Sequence, residues 1–311
     1  TGTRVAGGEK IGKLLAQVDA HFRSDHPAAS VPDLLKAEEM IKSLPDGYWK
    51  SCKLAEIREV IRGCLGLYLE ATAAEPTATP GDPIKIHLEA ICRALPQDAK
   101  VVLTGVQITP GLFDTLPAQA LVLNKGFALD KIVRIPANIG QGNPGASDHW
   151  NGFTAPYWLQ TPSTNGMYSV GNQALRGQPE TPRFASVHWS LTLNGVALEF
   201  DTDVAYKVEE PAIGEVWRPF EVLPPAFVEF TEASYLVVGA KRKVTLRVKA
   251  GRDNVHCILR LNTPPGWPIA VPIGAAPEFD LKKKGEEREY TFDLQPTDGP
   301  SEATLTAGVE V

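Results

Sequence analysis

Apolar positions recur at helical spacing in the N-terminal part of the chain and at every second residue in the rest. From Glu9 to Phe22 the residues Ile11, Leu14, Leu15, Val18 and Phe22 fall on one stripe of a helix. Ser30 has the place of an N-cap, with Pro32 in the first turn and Asp33 at the capping-box position, so a second helix is predicted to about Leu44. Leu44-Pro45-Asp46-Gly47 stops it. A third helix is predicted from about Ser51 to Glu70, burying Leu54, Ile57, Ile61, Cys64, Leu65 and Tyr68. Three helices of this size make a thin core, so they are expected to pack on the strands that follow or on a further domain.

The Pro/Thr-rich stretch Ala73–Pro83 is the clearest boundary, and a period of two begins after it. Ile84, Ile86, Leu88 and Ala90 alternate with polar residues, and further strands are predicted at Lys100–Thr109, Gln119–Asn124, Ala128–Ile135, Ala185–Leu193, Val196–Asp201 and Val204–Val208. Asn194-Gly195 reads as a two-residue type I′ hairpin turn. Beyond the joint Val222-Leu223-Pro224-Pro225, strands are predicted at Ala226–Phe230, Ser234–Val238, Lys243–Lys249, Val255–Leu261, Arg288–Leu294 and Ala303–Val311. The fold class read from this is mainly β: two antiparallel Ig-like β-sandwich domains preceded by about three α-helices. The expected domains are a helical segment at 1–75, a β-sandwich at 76–223 and a smaller Ig-like sandwich at 224–311. The long interval 138–182, rich in Gly, Pro and aromatics, is the anomaly, because loops of that length are usually functional.

The 311 residues are 43% hydrophobic and 22% charged, as in a soluble globular protein. A net charge of −6 without a basic face argues against nucleic-acid binding, and no apolar run is long enough for a membrane span. The opening TGTRVAGGEK reads as the cut end of something longer. Cys52, Cys64, Cys92 and Cys257 show no zinc-ligand spacing and read as reduced, structural thiols. His87, His188 and His256 fall on the solvent side of alternating strands, and Asp25-His26 and Asp148-His149 are weak candidates for a metal or acid–base site. No nucleophile elbow, phosphate loop or dinucleotide fingerprint is present, so no catalytic, cofactor or metal residue is assigned. What remains is binding chemistry. His149, Trp150, Asn151, Tyr157, Trp158, Tyr168 and Arg183 combine aromatic faces with hydroxyl-reaching groups, as a glycan site does. The same aromatics would equally serve to pin the loop to the sandwich. Trp189, Trp217 and Trp267 read as structural.

Several segments carry a resemblance. They are RVAGGEKIGKLL (Arg4–Leu15), DGYWKSCKLAEIREVIRGCLGLYLEA (Asp46–Ala71), PGDPIKIHLEAICR (Pro80–Arg93), APYWL (Ala155–Leu159), GMYSV (Gly166–Val170), VAYK (Val204–Lys207) and GEVWRPFEVLPP (Gly214–Pro225). Together they resemble the C-terminal portion of the long bacterial form of the N-acetylglucosamine de-N-acetylase family (LmbE-like, PIG-L). VTLRVKAGRDN (Val244–Asn254) and PPGW (Pro264–Trp267) are similar to sandwich domains attached to glycoside-active enzymes. The resemblance implies a parent protein whose Rossmann-like domain carries an HPDDE-type motif and zinc, with the zinc-bound water attacking an N-acetyl carbonyl. That motif is absent here, so the resemblance implies a non-catalytic accessory region, covalently linked to the zinc domain, docking it through the helices, in contact with glycan and exported. The alternatives are an independent carbohydrate-binding or adhesion module, and an enzyme using Asp148 and His149.

Overall fold

The computed structural model describes residues 5–110, 112–139, 152–161, 163–238, 241–263, 266–267, 269–270, 277–295 and 299–311. Three helices come first: α1 (Gly8–Ala20), α2 (Val31–Lys42) and α3 (Tyr48–Cys64). The strands that follow are β1 (Leu67–Ala73), β2 (Thr77–Ala78), β3 (Pro83–Cys92), β4 (Val101–Thr109), β5 (Leu112–Ala120) and β6 (Phe127–Arg134). After the long interval come β7 (Ser186–Leu193), β8 (Val196–Asp203), β9 (Ala205–Glu210), β10 (Gly214–Pro219), β11 (Glu221–Val222) and β12 (Ala226–Phe230). The chain ends with β13 (Arg242–Ala250), β14 (Val255–Asn262), β15 (Ile269–Ala270), β16 (Glu278–Leu281), β17 (Glu287–Leu294) and β18 (Thr306–Glu310). The fold is mainly β, with three N-terminal helices followed by largely antiparallel sheets.

Two compact units share the chain. The first comprises Thr1–Pro76, Pro83–Ile135 and Pro182–Phe220. Its sheets run β10-β9-β1-β3-β6 and β5-β4-β7-β8, antiparallel except for the short parallel pairing of β1 with β9. Burial alternates along β3 and β7, so Ile84, Ile86, Leu88, Val187, Trp189 and Leu191 face the core. The turn at Asn194-Gly195 has positive φ at both residues, 49° and 85°, as type I′ geometry requires. The helices join this unit rather than forming a body of their own. Arg62 on α3 donates to the carbonyls of Leu67 and Leu69, and Arg58 bridges the buried Glu38 of α2 and Glu199 of β8. Leu34, Ala37 and Ile41 of α2 and Ile57 and Ile61 of α3 are buried. Helix α1 buries Ile11 alone among its described residues, and an apolar cleft of about 200 Å³ remains open along it, lined by Ile11, Leu15, Ile41, Leu44 and Trp49.

The second unit comprises Thr77–Asp82, Pro136–Thr181 and Glu221–Val311. Its sandwich is β12-β13-β17-β15 over β16-β14-β18. Leu246, Val248, Val255, Cys257, Leu259 and Phe292 form one core between the two sheets. The parallel pair β2–β11 closes Thr77-Ala78 onto Glu221-Val222.

Several expectations are corrected here. The third helix stops at Cys64 rather than Glu70, because Gly66 turns left-handed at φ +52° and Leu67–Ala73 leave as a strand. The strand expected at Gln119–Asn124 lies earlier, at Leu112–Ala120, and Asn124 sits in a turn with φ +59°. Residues 234–238 form no strand, since no sheet offers them a partner, and Leu236 and Val238 point to solvent. Strand β10 carries no clear alternation, β16 alternates over only four residues, and neither was expected from the sequence.

Candidate functional site

Four of the glycan candidates, Tyr157, Trp158, Tyr168 and Arg183, fall among the described residues. His149, Trp150 and Asn151 lie outside the described residues. Tyr157 is 9% exposed; its backbone N–H donates to Thr181 Oγ1 at 3.0 Å, and its hydroxyl donates to the Gln178 carbonyl at 2.9 Å. Trp158 stands edge-on to it, with ring centroids 4.9 Å apart, and is half-buried. This pair ties the interval together, as large aromatics with a polar tip do. Tyr168, 62% exposed, lines an open hollow with Met167, Val170 and Arg176, and Arg176 holds the hollow's rim by donating twice to the Val170 carbonyl. Arg183 belongs to the first unit and is half-buried.

A second polar cluster was not legible in the sequence. On β1, Leu67, Leu69, Ala71 and Ala73 face the core, so Tyr68, Glu70 and Thr72 stand on the outward face of the five-stranded sheet. Glu70 is nevertheless buried. Its carboxylate accepts from the Tyr68 hydroxyl and, at 3.0 Å, from the Lys207 ammonium on β9. Lys207 also reaches Glu215 on β10 at 3.3 Å and lies 5.0 Å from the centre of the Trp217 ring. Trp217 Nε1 donates to Glu215 Oε1 at 2.6 Å. Trp217, expected to be structural, is 47% exposed. It sits on the outward side of an edge strand.

Electrostatics follow from these contacts. Burial, and then the bond to Glu70, pushes the Tyr68 hydroxyl up to about 12. Burial works against the Lys207 ammonium, but its bonds to Glu70 and Glu215 outweigh this and hold its pKa above the ordinary value. The indole N–H of Trp217, and then Lys207, hold Glu215 below the usual carboxylate range.

Farther along the same face, Thr72 pairs in register with His87, and His87 with Asp130. Asp130 accepts from Lys85 at 2.7 Å and from His87 Nδ1 at 2.8 Å, and is lowered by both, Lys85 first. These residues line an open hollow of about 280 Å³ over Ala73 and Ala74. His188–Asp201 and His256–Asp280 repeat the same cross-strand pairing elsewhere. Among the described residues, no three His, Cys, Asp or Glu side chains gather as metal ligands, and no helix is long and apolar enough to cross a membrane. Cys64, Cys92 and Cys257 are buried, and burial raises their thiol pKa values.

No family model matches the chain, and no curated protein matches it. Among solved structures, red sea bream transglutaminase is similar over 86% of this chain and 32% of its own, with a TM-score of 0.32 and 11% identity. Escherichia coli α2-macroglobulin activated by porcine elastase aligns over 78% of this chain and 20% of its own, with a TM-score of 0.25 and 9% identity. Salmonella α2-macroglobulin reacted with methylamine aligns over 79% and 15%, with a TM-score of 0.27 and 9% identity. The chain thus spans about a third or less of each of these proteins, and likenesses this distant say nothing of its activity.

Proposed function

We propose that the chain is the non-catalytic accessory region of a larger zinc-dependent amino-sugar de-N-acetylase, holding that enzyme's catalytic domain and offering surfaces to glycan. The observation that carries this reading is where the family-like segments fall. LYLEA and PIKIHLEAIC lie far in sequence from VAYK and GEVWRP, yet together they form β1, β3, β9 and β10, four neighbouring strands of one sheet. DGYWKSCKLAEIREVIRGC supplies α3, whose Arg62 is bonded to the first of those strands. These strands and α3 belong to the first unit, while APYWL and GMYSV fall in the second. The open apolar cleft along α1 gives the docking role a surface that a partner domain would cover.

The zinc and its ligands would belong to the linked domain, and export would follow from the parent protein's role. An independent carbohydrate-binding or adhesion module is the second reading, favoured by the exposed Tyr168 and its hollow. The reading frame upstream of Thr1 tests the first. An in-frame domain with an HPDDE-type motif supports it, and an unrelated domain there overturns it. Stoichiometric zinc or deacetylase turnover in the 311-residue chain by itself would overturn the non-catalytic part.

A further inference from the structure

We propose that the outward face of the sheet β10-β9-β1-β3-β6 is a binding platform for a short oligosaccharide carrying amino groups. The aromatic floor is Trp217. An indole that only filled a core would be buried, but this one is 47% exposed while held by two charged partners, the Glu215 carboxylate at its N–H and the Lys207 ammonium by its ring. A ring fixed before binding loses little freedom when the apolar C–H face of a pyranose stacks on it.

Polar groups that could meet hydroxyls lie on the same face. Pro219, Ala205, Thr72, His87 and Asp130 form one cross-strand row over all five strands, and Trp217 stands two residues from Pro219. From β10 to β3 is three interstrand spacings, roughly 14 Å at about 4.8 Å each, a span for an oligosaccharide rather than a single sugar. Thr72, Lys85, His87 and Asp130 converge on the hollow at this end of the row. Among the described residues His87 Nε2 has no hydrogen-bond partner, since Asp130 takes Nδ1.

Charge selects the class of sugar. Glu70 lies directly opposite Glu89, and Glu209 directly opposite Glu215. Like charges facing one another across a sheet are destabilising, and such departures from local rules gather at functional sites. Lys207 offsets part of this through Glu70 and Glu215, which leaves Glu89 and Glu209 to attract ammonium groups and repel carboxylates or sulfates.

The site deepens the glycan-contact part of the accessory reading and rests on it, but fails separately: absence of binding here leaves the upstream-domain test untouched. The experiment is calorimetric titration of the 311-residue chain with chitosan hexamer, cellohexaose and hyaluronan hexamer at pH 6 and low salt. Chitosan hexamer should bind at least ten-fold more tightly than cellohexaose, and hyaluronan should not bind. Trp217→Ala should weaken chitosan binding ten-fold or more with an unchanged circular dichroism spectrum. Should that variant unfold, Glu89→Gln combined with Glu209→Gln keeps the ring and should weaken chitosan binding about five-fold. No chitosan binding, equal binding of cellohexaose, or binding unaffected in the folded variants would overturn the proposal.

Discussion

Glu70 shows how one side chain can be placed against its type. A carboxylate on the outward face of a strand would ordinarily be solvated, yet this one is nearly closed off and relies on Tyr68 and Lys207. Lys207→Met keeps the stem and removes the ammonium, leaving the buried acceptor short of its charged partner. A loss of about 2 kcal/mol is expected, the scale for a buried group left unsatisfied. Adding Glu70→Leu should recover most of it, because the pair's worth lies mainly in mutual compensation. Urea midpoints of the single and double variants measure this, and a double variant no better than the single refutes it. The His256–Asp280 pair gives a pH-dependent counterpart. The bond to Asp280 raises His256 above its ordinary value of about 6.5, so its contribution is full below that value and is lost as pH rises through the raised pKa. The same bond, and then Lys282, hold Asp280 below about 3.9, so its contribution is present above that value and is lost as pH falls through the lowered one. The stability gap between the parent chain and His256→Asn should therefore peak between roughly pH 4 and 6.5 and close on the alkaline side. A pH-independent gap contradicts this. The histidines were legible as exposed strand residues, since alternation fixes the face. Their aspartate partners were not, because register is a long-range property. The half exposure of Trp217 was hidden for the same reason: residue type alone does not reveal that β10 is an edge strand.

At the scale of elements, periodicity served well where a strand has one wet face and failed where two periods overlap. Ile57, Ile61, Cys64, Leu65 and Tyr68 fit a helical stripe, while Leu67, Leu69, Ala71 and Ala73 fit a strand, and the two patterns share a junction. Gly66 decides between them. Its φ is +52°, and a Cβ there would meet the Cβ of Arg93 at 2.8 Å, so only glycine lets the helix end and the strand begin beside β3. Gly66→Ala should cost about 1–2 kcal/mol for the left-handed conformation, with the clash added. Thermal unfolding of the variant measures it, and an unchanged midpoint would mean that the junction relaxes freely. The hairpin at Asn194-Gly195 was legible because turn chemistry and alternation agree there. Ser234–Val238 is a short apolar run with no partner strand among the described residues, and a pattern of apolar residues cannot supply one.

At the scale of the molecule, the order of elements along the chain and their grouping in space part company. Mainly β after a helical start was readable from the change of period, but the second unit takes in Thr77–Asp82 and Pro136–Thr181 as well as the C-terminal strands. The pairing that gathers Thr77-Ala78 to Glu221-Val222 is two residues long and joins segments far apart in the sequence, so no local signal announces it. What gives this unit its own stability is the core shared by β12, β13, β14, β16 and β17, closed by residues of its own strands. Leu246 is fully buried at its centre. Truncating it should cost about 3 kcal/mol, within the range for buried leucines, and the loss should stay in the unit whose core it opens. Amide exchange in Leu246→Ala should accelerate along β13, β14 and β17 while the protected amides of β3, β4 and β7 keep their rates. If both sets accelerate together, the two units unfold as one cooperative body, and Leu246 stabilises the first sandwich as much as its own.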